Sequence, residues 1–244
     1  MDSYSMLESV YIELKNITPI DEDIETKMSP PLLIKPTEKW FESSKKILVV
    51  GQETLEWKKK GIESFSDYRM LDTIAKLQDA YDKFCFAETS KKHKHSPFWR
   101  AYRAIRNAFD SCDKGIETNV LWTNLYKCSN NGKSWYGKKD ANDRRESVEK
   151  ALQGILWEEI KILGPTDIIF FTGPRYDRYL KQSLNGNVEF APIDDRYSTR
   201  QLAKFCINEP SIPGFRTYHP NYLQRSKNWQ VIDLLIKELG CNNK

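Results

Sequence analysis

The stretch "KKILVVGQETLEW", residues 45–57, decides how this chain is read. Ile47 to Val50 form an unbroken apolar run that is too short for a core helix, and three of the four are β-branched. Such a run suits a strand buried on both faces, as in a parallel sheet. It passes directly into Gly51, Gln52 and Glu53. Taken alone, that polar end fits an ordinary turn facing water. Three more apolar runs further along end in the same manner, so the stretch is the first of a set.

The second strand is expected at "NVLWTN" (119–124), the third at "DIIFFTG" (167–173), and the fourth ends at "FRTYHP" (215–220). Helical spacing lies between and around them. One helix is expected near residues 3–15. Another covers "SDYRMLDTIAKLQDAYDKF" (66–84), with Leu71, Ile74, Leu77 and Tyr81 on one face. "SPFWRAYRAIRNAF" (96–109) aligns Phe98, Tyr102, Ile105 and Phe109, with Ser96 suited to a cap and Pro97 to a first turn. A long helix is expected over about 142–163, stopped by Gly164-Pro165. Others follow at "PRYDRYLKQSL" (174–184) and about 224–239, and residues 187–213 read as irregular or as short strands. Strands alternating with helices predict an α/β fold with a mostly parallel sheet. Residues 1–44, with prolines in "SPPLLIKP", read as a lead-in packed on a main domain of residues 45–244.

Composition agrees with a soluble globular chain: 244 residues, 39% hydrophobic and 30% charged. A net charge of +4 permits a polyanionic partner without requiring one. The five cysteines, at 85, 112, 128, 206 and 241, include no C-x-x-C pair. This argues against a disulfide framework or zinc site and for a reducing compartment. The acidic start "MDSYSMLESVY" lacks the apolar segment of a signal peptide, and no apolar run approaches ~20 residues. A cytoplasmic, nucleoid-associated or nuclear location is therefore expected rather than secretion. His93 and His95 resemble a metal pair only superficially, and neither a metal nor a cofactor is expected.

In an open parallel sheet, ligands bind at the carboxyl ends of the strands. Those ends carry Gln52 and Glu53, Thr123 and Asn124, Thr172 and Gly173, and His219. A carboxylate, an amide and an imidazole facing one crevice can hold a flat polar ring and stabilise charge on either side of it. Each has an ordinary reading as well: Asn124 as a turn cap, His219 as a structural hydrogen-bonder, Glu53 as a solvated side chain.

The four ends together resemble those of the uracil-DNA glycosylases. "VVGQET" is similar to their water-activating motif GQDPY, "VLWTN" to VLLLN with its base-reading Asn, and "HPNYL" to HPSPL. "IIFFTG" looks like their third strand, and the order is the same. The resemblance covers about residues 45–240. It implies a three-layer α/β/α sandwich around a short, mostly parallel central sheet. It also implies cleavage of the N-glycosidic bond of a flipped-out base in DNA, as in base excision repair, by a monomer without metal or cofactor.

By this resemblance Glu53 stabilises the sugar cation and orients water, and His219 donates to the departing base. Asn124 and the Gln52 backbone read the base, and Phe98 stacks on it, with Phe84 and Phe86 behind. Leu223 would be the apolar wedge that fills the gap left in the duplex. Asn221, Gly173, Arg100 and Lys138 would contact DNA, within basic segments that include Lys91, Lys92, Lys94, Lys139, Arg144 and Arg145. Phe98 fits equally the apolar face of its helix, and Leu223 the core. The sequence departs from the family where Glu53 replaces Asp, Thr54-Leu55 replaces Pro-Tyr, and Asn221-Tyr222 replaces Ser-Pro. The Tyr lost at Leu55 resembles a block against the thymine methyl group. A non-catalytic protein that binds nucleic acid or a base on the same fold is the alternative. An unrelated α/β hydrolase lacks a G-x-S-x-G or phosphate-loop motif to support it.

Overall fold

The computed structural model describes residues 2–55, 57–86, 95–112, 118–136, 142–186 and 188–240. Among them, six strands make one sheet: β1 (Lys45–Glu53), β2 (Thr118–Tyr126), β3 (Asp167–Phe170), β4 (Ala191–Pro192), β5 (Leu202–Asn208) and β6 (Ser211–Thr217). Their order is β2-β1-β3-β6-β5-β4. The β2-β1-β3-β6 block is parallel throughout, and β5 and β4 add on antiparallel. Ile47 to Val50 are fully buried, as the apolar run predicts for a strand covered on both faces.

Helices flank this sheet: α1 (Ser3–Lys15), α2 (Glu22–Glu25), α3 (Glu38–Glu42), α4 (Phe65–Met70), α5 (Ile74–Phe86), α6 (Pro97–Cys112), α7 (Asn142–Ala151), α8 (Ile155–Leu163), α9 (Asp177–Ser183), α10 (Pro220–Arg225) and α11 (Gln230–Glu238). α1 packs on α5 and α8, and α6 packs on α10 and α11. The result is a three-layer α/β/α sandwich with a mostly parallel sheet.

Three expected helices are each divided. The 66–84 helix breaks between α4 and α5, where the Thr73 hydroxyl donates to the Tyr68 carbonyl at 3.0 Å. Leu71 lies in that break in extended backbone and is 45% exposed rather than facing the core. The 142–163 helix breaks at Gly154, which takes φ 91°, a left-handed conformation suited to glycine. The 224–239 helix instead begins at Pro220 and breaks at Lys227 (φ 57°), separating α10 from α11. The stretch 187–213 holds β4, β5 and the start of β6. Gly214 lets β6 sit between its neighbours: a Cβ there would lie 2.3 Å from Phe205 Cζ and 2.4 Å from the Ile168 carbonyl oxygen.

Residues ahead of β1 pack into the same core. Leu7, Tyr11, Leu14 and Trp40 are fully buried, and the Trp40 indole donates to the Leu163 carbonyl at 2.8 Å. The Tyr11 hydroxyl accepts from the Ile34 amide (2.9 Å) and donates to Glu159 (3.1 Å). Glu159 is also ion-paired with Lys127 inside the protein. Residues 29–32 run beside the chain just after β2. The amides of Ser29 and Leu32 donate to the carbonyls of Ser129 and Lys127 (3.0 and 2.8 Å), and the Asn131 amide donates back to Lys27 (2.8 Å).

Candidate active site

The parallel register places the polar strand ends side by side. Gly51 of β1 pairs with Asn124 of β2, and Glu53 with Tyr126. The chain after β3 brings Thr172 and Gly173 to the same edge, and the chain after β6 brings His219. A crevice runs along this edge in two adjoining lobes of about 680 and 570 Å³. Gln52, Glu53, His219 and Asn221 line both lobes and form the divide between them.

Glu53 is held by three donors. Its Oε1 accepts from Ser134 Oγ (2.6 Å) and the Tyr176 hydroxyl (2.8 Å), and its Oε2 from the Trp135 amide (2.9 Å). A carboxylate offers about four acceptor positions, so one on Oε2 is left for water or ligand. Burial raises the pKa of Glu53 above its ordinary value, and the three donors and Arg175 oppose that rise.

His219 caps α10, and its Nδ1 accepts the Asn221 amide at 3.2 Å. A neutral ring with Nδ1 as acceptor carries its proton on Nε2, which makes Nε2–H a donor. Burial, aided by Arg225, lowers the pKa of this imidazole to about 4, so it is neutral at pH 7. The Phe98 ring lies nearly parallel to it, 17° apart at 5.7 Å between centroids.

Asn124 is 4% exposed, and its amide has no hydrogen-bond partner among the described residues, although it lines the larger lobe. Gly51 makes room for it: a Cβ there would stand 2.3 Å from Asn124 Oδ1 and 3.1 Å from the Phe98 ring. Phe98, Trp57, Phe84, Trp99 and Trp122 wall this lobe. Phe98 is packed edge-on against Trp122 and Phe171 and also lines the crevice. The Gln52 amide donates to the Thr172 carbonyl at 2.8 Å, which locks that side chain to the neighbouring strand end. The smaller lobe is cationic, lined by Arg175, Arg200 and Arg225 with Tyr136, Tyr218 and Tyr222. Gly173, at φ 74°, also lines it, and a Cβ there would press on the Tyr218 ring at 3.2 Å.

The fold thus assembles Glu53, His219, Gln52, Asn124, Phe98, Asn221 and Gly173 around one crevice. Two expected residues sit elsewhere. Leu223 is 2% exposed, since α10 turns it inward, so in this conformation it is core and not a projecting wedge. Arg100 is exposed on α6 but lies over the Trp229 ring (4.8 Å) and donates to Gln224 (3.1 Å), away from the crevice lining. Lys138 lies outside the described residues, as do Lys91, Lys92, His93, Lys94 and Lys139. Arg144 and Arg145 are ion-paired with Asp23 and Glu149 (3.1 and 3.3 Å). Sequence reasoning missed Ser134, Trp135 and Tyr176. They reach Glu53 from 81, 82 and 123 residues away, and no local pattern marks them. Among the described residues no group of three or more His, Cys, Asp or Glu could hold a metal ion. No helix among them is long and apolar enough to cross a membrane.

No family model matches the chain, and no curated protein matches it significantly.

Proposed function

We propose that this protein is a DNA glycosylase that hydrolyses the N-glycosidic bond of uracil or a related damaged or modified base. One observation carries the reading. A fixed carboxylate, a neutral imidazole donor and an unpartnered buried amide meet at one aromatic-walled crevice. Glycosidic cleavage develops positive charge on the sugar and negative charge on the base. Glu53 stabilises the first and offers its remaining Oε2 position to the attacking water. The Nε2–H of His219 donates to the base oxygen as the base departs. A preorganised donor of this kind contributes about 3 kcal/mol to such a step. The Asn124 amide supplies a donor and an acceptor to one edge of the ring, and Phe98 covers a face. Extruding the nucleotide costs roughly a few kcal/mol, least for a base that is mismatched or already unpaired. The three arginines of the smaller lobe give the DNA backbone a counter-charge.

A binding protein without cleavage is the second reading. It is favoured by the three protein donors already on Glu53, which occupy three of its about four acceptor positions and leave one for an attacking water.

Labelled oligonucleotides carrying one uracil, mismatched thymine, hypoxanthine or 5-hydroxymethyluracil separate the two, with alkali to cut abasic sites. Strand cutting that is lost in Glu53→Gln and His219→Ala, with DNA binding retained, is the expected result. Salt-sensitive binding without cutting on any substrate would favour the binder.

A further inference from the structure

The crevice does not end at the cationic lobe. A third hollow of about 240 Å³ adjoins it and shares Arg200, Tyr218 and Tyr222 as a common wall. Its floor is apolar, made by Leu223 and Val231, which are 2% and 1% exposed. Tyr197, Tyr218 and Tyr222 supply its sides, and Tyr218 and Tyr222 lie ring to ring at 4.3 Å and 32°. Tyr222 is 43% exposed, one of the few large aromatic groups among the described residues that face solvent. At this size the hollow is below the roughly 300–1,000 Å³ of drug-sized sites and suits one planar ring. Arg175, Arg200 and Arg225 have no carboxylate partner within salt-bridge distance among the described residues, so their charge is available to a ligand.

Aromatic lobe, arginine lobe and aromatic hollow therefore follow one another along a single groove. That sequence of surfaces is complementary to ring, phosphate, ring. We infer that the hollow between Tyr218, Tyr222 and the Leu223 floor is a second base subsite. It holds an unpaired base of the same strand, while the arginines hold the intervening backbone. This rests on the reading of the crevice as a nucleic-acid site and names the partner as single-stranded. A paired base stays stacked in its duplex and cannot enter. It also gives Leu223 a role other than a wedge: it is the floor under the second ring.

The test needs no cleavage. Binding of a 12-residue thymidine oligonucleotide is compared by fluorescence anisotropy with a 12-residue abasic tract carrying the same phosphates. Tyr222→Ala should weaken the thymidine strand about ten-fold, the scale of one base–aromatic stack, and leave the abasic tract unchanged. Tyr222→Phe should retain the affinity for both. Arg200→Gln should weaken both ligands alike and reduce the slope of log affinity against log salt by about 0.7, the share of one phosphate on a single strand. An equal effect of Tyr222→Ala on both ligands, or none on either, would overturn the second subsite while leaving the crevice reading intact. Absence of salt-sensitive binding of any oligonucleotide by the unaltered protein would remove that reading, and the subsite with it.

Discussion

Glu53 is subject to two opposed influences. Burial disfavours its charge, while Ser134, Trp135 and Tyr176 favour it by donating to it, and burial prevails. On the proposed glycosylase reading, with the ionised form competent, the acid limb of kcat/KM lies above the ordinary 4.5 of a glutamate. Burial lowers the pKa of His219 to about 4, so it titrates on the acid side of that limb. Tyr176→Phe removes a donor to the charged form, so the limb should move further up in pH while kcat on its plateau changes less. A pH–rate profile of both proteins checks this, and coincident limbs would show that Tyr176 does not act on Glu53. The two ends of this arrangement differ in how legible they were. Glu53 and Asn124 stand just after apolar runs and His219 just after the expected fourth strand, where a parallel sheet must deliver them to one edge. Their partners Ser134 and Tyr176 lie in loop and turn segments whose positions depend on tertiary packing, which periodicity does not encode.

At the scale of elements, the parallel strands were readable because burial on both faces leaves an unbroken apolar run. Helix length was not. Periodicity continues through 66–84 and 142–163, yet a threonine hydroxyl and a left-handed glycine interrupt the hydrogen-bond ladder without disturbing the apolar pattern. Of the β5–β6 hairpin the sequence showed the end of β6 and short strands within 187–213 but not the pairing, and Gly214 offers no side chain to count. That glycine is where the sheet is least tolerant. Gly214→Ala drives a methyl group into the Ile168 carbonyl and the Phe205 ring. It should cost about 3 kcal/mol or more in urea unfolding, at the upper end for overpacking. Because β6 leads directly to His219, any activity lost beyond the unfolded fraction would show that strain at Gly214 reaches the imidazole.

For the molecule as a whole, the ion pair of Lys127 and Glu159 joins the layers. Burial presses both groups toward their neutral forms and their mutual contact opposes it. Thr123 of β2 and Tyr11 of α1 complete the network around the carboxylate. Removing one partner leaves the other buried and uncompensated, so Lys127→Met should cost about 3–5 kcal/mol, whereas Lys127→Met with Glu159→Leu should recover most of it. Denaturant titration of the three proteins decides. A double variant as unstable as the single one would mean that the pair is needed for more than charge balance.

Residues 29–32 carry none of the strand-end motifs, yet their amides brace the stretch after β2 that continues to Ser134 and Trp135. The proton affinity of one glutamate is thereby made a gauge of whether residues 29–32 are docked. Loosening that segment would release the Ser134 and Trp135 donors from Glu53 and leave Tyr176 and Arg175 alone to oppose its desolvation, raising its pKa further. Protein nicked by limited proteolysis ahead of residue 27 would then show an acid limb displaced upward while its circular dichroism stays unchanged. An undisplaced limb would separate the two ends of the molecule. On this view the docking of residues 29–32 and the proton affinity of Glu53 are coupled across the sheet edge.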